Sequence, residues 1–324
     1  MKLKLYLVYF FAAVLIITVV AGCNQSGKPG NEGKTELSKL KIGSLPIEDS
    51  MPILVAEKNG YFAAENLEVE LVSFQSPVES QSAFQSGELD GMVTDMIVAA
   101  LLKSAGEDLR VTSLTLGANP GEGRFAIVAA PRSAIENVTD LKGKNIGISG
   151  NSIIEYVTDG LLAAGGVDPA EVNKTTVAKI PLRVEMLLNN QIDAITVPDP
   201  QISYVVAEGA RVIAEDTKGD NLSQAVVIMT GKALNEKREA ITRFFKAYAK
   251  AVDDINNKPD QYQELLIENM NIPASIAASY GVQHYSQPQL PAEQEVDRII
   301  TWLKNKDLLK NEITYADFVQ QGLY

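Results

Sequence analysis

Twice along this chain, short runs of β-branched and apolar residues alternate with stretches of helical spacing in the same order, which restricts the fold to α/β. The first series predicts a strand over 40–43, a helix over 50–59 stopped by Gly60, and a strand over 67–74. A helix follows from Ser76-Pro77-Val78-Glu79, which offers an N-cap serine, proline at the first helical position and glutamate two positions later. Then come a strand over 91–94, a helix over 95–104 and a strand over 110–116. The second series repeats this order: strand 144–149, helix 152–164 with a Ser152/Glu155 capping pair, strand 174–178 and a helix from about Pro181. It closes with strand 193–197, helix 199–208 and strand 211–214. Residues 87–95 and 190–199 correspond if one residue is inserted, and Asp90 and Asp193 are expected to cap tight turns in both.

After an apolar run over 223–230, helical stripes replace the alternation. Ile241, Phe244, Phe245, Tyr248, Val252 and Ile255 fall on one helix face, as do Val296, Ile299, Ile300 and Leu303. These helices add packing to a lobe already built. Trp302 lies off the second stripe and is expected to be a partly exposed structural residue.

The start of the chain reads as an address rather than a fold. Lys2 and Lys4 precede an apolar run over 5–20 that ends in Val20-Ala21-Gly22-Cys23, the layout of a secretory signal peptide. Small residues before a cysteine resemble the bacterial lipobox, so 1–22 is expected to be removed and Cys23 lipidated. Residues 24–35 contain no apolar side chain and form the flexible part of a tether, 23–37. The expected location is outside the cytoplasm, held by lipid on the outer face of the cell membrane or, in a two-membrane cell, on the periplasmic side. Cys23 is the sole cysteine and His284 the sole histidine, so the folded body has no disulfide, zinc–thiolate or histidine-triad chemistry to draw on. The formal net charge of -12 makes nucleic acid and anionic lipid poor partners.

Several segments carry a resemblance. They are Pro52-Ile53-Leu54-Val55-Ala56-Glu57-Lys58-Asn59-Gly60-Tyr61-Phe62, Leu67-Glu68-Val69-Glu70, Gly87-Glu88-Leu89-Asp90, Asp140-Leu141-Lys142-Gly143-Lys144-Asn145-Ile146-Gly147 and Gln191-Ile192-Asp193-Ala194. In order and spacing the chain resembles the solute-binding proteins of ABC importers, in the branch that groups nitrate, sulfonate, taurine and thiamine-pyrimidine binders. That resemblance implies a type II periplasmic-binding-protein fold, two α/β lobes joined by two crossover strands and closing on ligand. It places lobe one at 38–123 plus 231–324 and lobe two at 124–230, with the hinge strands 124–130 and 223–230 inside the latter. It also implies a monomer that delivers a small polar solute to a membrane permease and its ATPase, with no cofactor or metal. Two alternatives remain. A pyrimidine-synthesising enzyme shares the fold and would bring a cysteine-rich motif and an active-site histidine, but no cysteine follows Cys23 here and His284 sits in the polar stretch 283–287 of the C-terminal helical part. A ligand-sensing lipoprotein would look the same.

In open α/β sheets ligands bind beyond the carboxyl ends of strands, where helix N-termini present free N–H groups. Those ends nominate Ser44, Asp49, Ser50, Ser76, Thr94, Asp95 and Asn119 in lobe one, and Asn151, Ser152 and Asp199 in lobe two. Ser76, Ser152 and Asp199 also sit where simple helix caps belong. Arg124 and Arg183 are candidates for an oxyanion, or for pairing with Glu122 and Glu185. Tyr156 is a candidate to stack on a planar ring. Asp49, Asp95 and Asp199 point instead to amine or ring N–H groups, so the charge of the ligand stays open.

Overall fold

The computed structural model describes residues 37–219, 221–270 and 272–324; the expected signal peptide, Cys23 and nearly all of the tether lie outside these. The first series forms β1 (Ser38–Ser44), β2 (Leu67–Ser73), β3 (Gly91–Asp95) and β4 (Leu109–Leu116). β5 (Phe125–Ala129) comes next, the second series forms β6 (Asn145–Ile148), β7 (Asn173–Thr176), β8 (Ala194–Pro198) and β9 (Arg211–Glu215), and β10 (Ala225–Thr230) follows. They build two sheets, in the orders β2-β1-β3-β10-β4 and β7-β6-β8-β5-β9.

The two orders are one plan used twice. β1 runs parallel to β2 and β3, as β6 does to β7 and β8. In each sheet an antiparallel strand, β10 or β5, separates the third strand of the series from the fourth. Each is the strand that follows a crossing from the other lobe. The crossings therefore lie between β4 and β5 and between β9 and β10. This corrects the expected hinge strands: 124–130 and 223–230 mostly lie inside sheets rather than between them. β10, expected within lobe two, is a strand of the first sheet, because its hydrogen bonds go to β3 and β4.

The helices form where caps and stops were readable. Ser76 Oγ accepts the Glu79 N–H at 3.3 Å and Glu79 accepts the Gln75 N–H at 3.0 Å, opening helix Pro77–Gln85. Helix Met51–Lys58 gives way to Gly60, whose φ of 70° favours glycine. Asp90 and Asp193 play matched roles. Asp90 accepts the Lys41 N–H at 2.9 Å and Asp193 the Asn145 N–H at 2.8 Å, each tying its turn to the neighbouring strand.

Helix Arg238–Asn257 buries its stripe of Ile241, Phe244, Phe245, Tyr248, Val252 and Ile255 in the core of lobe one. A second apolar layer is shared between lobes: Met96 and Ile97 of lobe one lie in one cluster with Ile154 and Val157 of lobe two and with Val296 and Ile300 of helix Glu293–Asn305. No helix among the described residues is long and apolar enough to cross a membrane.

Candidate ligand-binding cleft

The carboxyl ends of β1 and β3 meet those of β6 and β8 around an inner cavity of ≈ 50 Å³. Leu45, Ile47 and Ile180 line both this cavity and an outer groove of ≈ 440 Å³. The groove is mostly apolar, with Val184, Leu188 and Tyr204 on its lobe-two wall. The inner cavity is also lined mostly by apolar surface, but it gathers more polar side chains: Ser44, Asp49, Ser80, Thr94 and Asp95 come from lobe one, Ser149 and Ser152 from lobe two, and Ser223 and Gln224 from the second crossing. A mostly apolar cleft with a few convergent polar groups at its floor suits a compact molecule with one polar end.

The floor is acidic. Asp95 Oδ1 accepts the Val98 N–H at 2.8 Å and caps helix Met96–Ser104. Its Oδ2 accepts the Ile153 N–H at 3.3 Å from the opposite lobe. Burial pushes the Asp95 carboxyl up to about 6 despite these bonds. Asp49 is enclosed by the lobes, with part of its surface open to the cavity itself; burial raises it to about 7, and Asp95 adds to the shift. Glu48, just behind, is raised to about 8 by burial, although Tyr280 and Gln283 hydrogen bonds oppose the shift. Asp49 and Asp95 have no lysine or arginine partner among the described residues.

Arg183 is wholly buried in lobe two. Its Nη1 donates to Ser149 Oγ at 2.8 Å and to the Val177 carbonyl at 3.1 Å, while Nε and Nη2 have no partner. Burial lowers its pKa to about 9. It does not pair with Glu185.

Of the residues nominated from sequence, the cavity gathers Ser44, Asp49, Thr94, Asp95 and Ser152. Ser50 lies beneath, donating to the Ile47 carbonyl, and Ser76 serves as the cap described above. Asn151 takes a φ of 54° and donates its N–H to Glu155. Arg124 and Asn119 belong to the crossings. Arg124 pairs with Glu215 at 2.5 Å and Asp199 at 3.3 Å, which also occupies Asp199. Asn119 donates to Glu122 and Ser286, and its carbonyl accepts from Asn221. Asp216 accepts the Phe125 N–H at 2.9 Å, so the two crossings are tied side by side. Tyr156 meets Trp302 edge-on, with ring centroids 5.4 Å apart; it packs between lobes instead of facing the cavity. Sequence reasoning missed Ser149, Ser80, Ser223 and Gln224. Ser149 was within reach, one residue beyond β6.

Beside Tyr156, Lys306 bonds to Glu155 at 2.7 Å and Asp159 at 3.0 Å, and the Trp302 indole N–H donates to Asp159 at 3.2 Å. Lys174 also holds Asp159, at 2.7 Å. Helix Ile153–Ala164 of lobe two is thus fastened to helix Glu293–Asn305 and its C-terminal flank.

Two lobes of matched topology with a cleft at their strand ends define a periplasmic-binding-protein fold. Residues 47–262 match the family described as NMT1/THI5 like, and the chain belongs to that family. It is 24% identical over 263 residues to a Bacillus subtilis (strain 168) protein named for binding aliphatic sulfonates, covering 78% of this chain and 76% of that one. It is 23% identical over 268 residues to a Brachyspira hyodysenteriae (strain ATCC 49526 / WA1) protein named as a periplasmic binding protein of an ABC transporter, covering 78% and 75%. The alkanesulfonate-binding protein SsuA of Xanthomonas axonopodis pv. citri, bound to MOPS, superposes with a TM-score of 0.75 at 17% identity, over 88% of this chain and 99% of that one. An enzyme has this fold too: the desulfurization enzyme DSZB superposes with a TM-score of 0.64 at 16% identity, over 88% and 97%.

Proposed function

We propose that this protein is the solute-capturing component of an ABC importer, and that its solute carries amine or ring N–H donors on a compact apolar body, as pyrimidine-type compounds do. The observation that carries the ligand class is the pair of cavity-facing carboxylates, Asp49 and Asp95, without a cationic partner among the described residues. Two carboxylates at a site fed by an apolar groove favour donors. An anion about 4 Å from one of them would be repelled by about 4 kcal/mol at an effective dielectric near 20, more than a helix N-terminus typically returns.

Calorimetry at pH 7.5 against pyrimidines, small amines, alkanesulfonates and nitrate tests this. A pyrimidine or amine binder is expected; a panel bound only through sulfonates, or not at all, would overturn the ligand class. Sulfonate is the second reading, favoured by the names of relatives and by the unpaired Arg183 cation behind Ser149.

We further propose a binding role without turnover, delivery by a monomer to a permease and its ATPase, and a lipid anchor at Cys23. Cys23→Ser should release or misprocess the protein, read by membrane fractionation, without altering the ligand affinity of the folded body. Turnover of bound ligand by the purified protein would restore the enzyme reading.

A further inference from the structure

We propose that Asp95 is the clamp's own occupant of the anion-accepting end of lobe two, and that it sets specificity by turning oxyanions away. The inference rests on the reading of the inner cavity as the ligand site and deepens it by assigning one residue the discrimination.

Helix Ile153–Ala164 is twelve residues long and its first turn faces the cavity. Ser152 Oγ accepts the Ile154 N–H at 3.3 Å, and Asp95 Oδ2 accepts the Ile153 N–H from the other lobe. A helix N-terminus with a free first-turn N–H is a receptor for a negative oxygen. A second, independent feature has the same sign. Arg183 is completely buried, has two guanidinium nitrogens without partners, and donates to Ser149 Oγ on the cavity wall. The Ser149 carbonyl in turn accepts from Ser152 Oγ at 2.8 Å, linking the arginine's contact to the helix cap.

The cavity face of lobe two is thus a helix N-terminus with a buried cation behind Ser149, a cation that does not itself line the cavity, and the carboxylate on that face is part of the chain. Because the other oxygen of Asp95 accepts the Val98 N–H, one side chain takes donors from a helix in each lobe. A sulfonate or nitrate approaching Ile153 would have to displace this oxygen while Asp49 also faces it. A donor-bearing molecule meets no such opposition.

The test uses methanesulfonate and sulfate as probes, titrated by calorimetry into the purified protein, Asp95→Ser and Asp95→Asn. Serine still caps helix Met96–Ser104 but is too short to reach Ile153. Asparagine keeps the shape of aspartate and removes its charge, so it serves if the serine variant fails to fold. Both variants are expected to bind at least one probe about tenfold or more tighter than the unaltered protein. Equal or tighter binding by the unaltered protein would overturn the proposal, and so would failure of all three to bind either probe. Failure of the pyrimidine and amine panel alongside a gain in the variants would sink the donor-ligand reading and leave the role of Asp95 standing.

Discussion

Asp49, Asp95 and Glu48 share one condition: enclosure between lobes holds each carboxyl back from ionising, to about 7, about 6 and about 8. Unfolded, all three titrate near 4. Between about 4 and about 8 the native state keeps protons that the unfolded chain has released, so raising pH through that window costs the native state stability. The contribution of these groups makes the ligand-free protein more stable to urea at pH 5 than at pH 8, and a higher midpoint at pH 8 would contradict it. Asp49→Asn should leave stability equal or higher, since the cost of burying charge is removed. It should weaken ligand binding by roughly ten- to a hundredfold, the loss of one charged hydrogen bond, measured by calorimetry. Arg183→Met is expected to hold its urea midpoint, because a buried charge with no anion partner costs more than two hydrogen bonds return. Cavity residues such as Ser44, Thr94 and Asp95 were legible because position after a strand is a local property. Arg124, Asn119 and Tyr156 were not, because their partners Glu215, Asn221 and Trp302 are remote in sequence.

Among elements, helix Ile153–Ala164 has the most to lose. Its first turn reaches the cavity, and Glu155 in that turn and Asp159 one turn further on are held by Lys306, Lys174 and Trp302. Lys306→Met leaves those carboxylates, 13% and 8% exposed, with Lys174 as their remaining cation among the described residues, beside the N–H groups of Asn151 and Trp302. A loss of about 1–3 kcal/mol in urea denaturation is expected, the cost of an undercompensated buried polar group. No loss would show that Lys174 suffices. Strand and helix limits were readable to within a few residues because hydrophobic period and capping act locally. The sheet to which β10 belongs was not, since an apolar run of six residues carries no mark of its partners.

For the whole molecule, the repeated α/β series foretold two sheets of one plan. The two crossings, tied through Asp216, Asn221 and the Arg124–Glu215 pair, form a single seam about which the lobes can turn. The place of β10 has a further consequence, for the order in which the protein comes into being. Synthesis runs from the N-terminus, and when β9 is complete every strand of the second sheet exists. The first sheet then still lacks the strand between β3 and β4, so two strand flanks stand open. Lobe two can mature while lobe one waits. A chain ended after Glu215 should protect the amides of β6 and β8 from hydrogen exchange and leave those of β3 and β4 unprotected. The cell must shelter that unfinished sheet for as long as it takes the next residues to arrive.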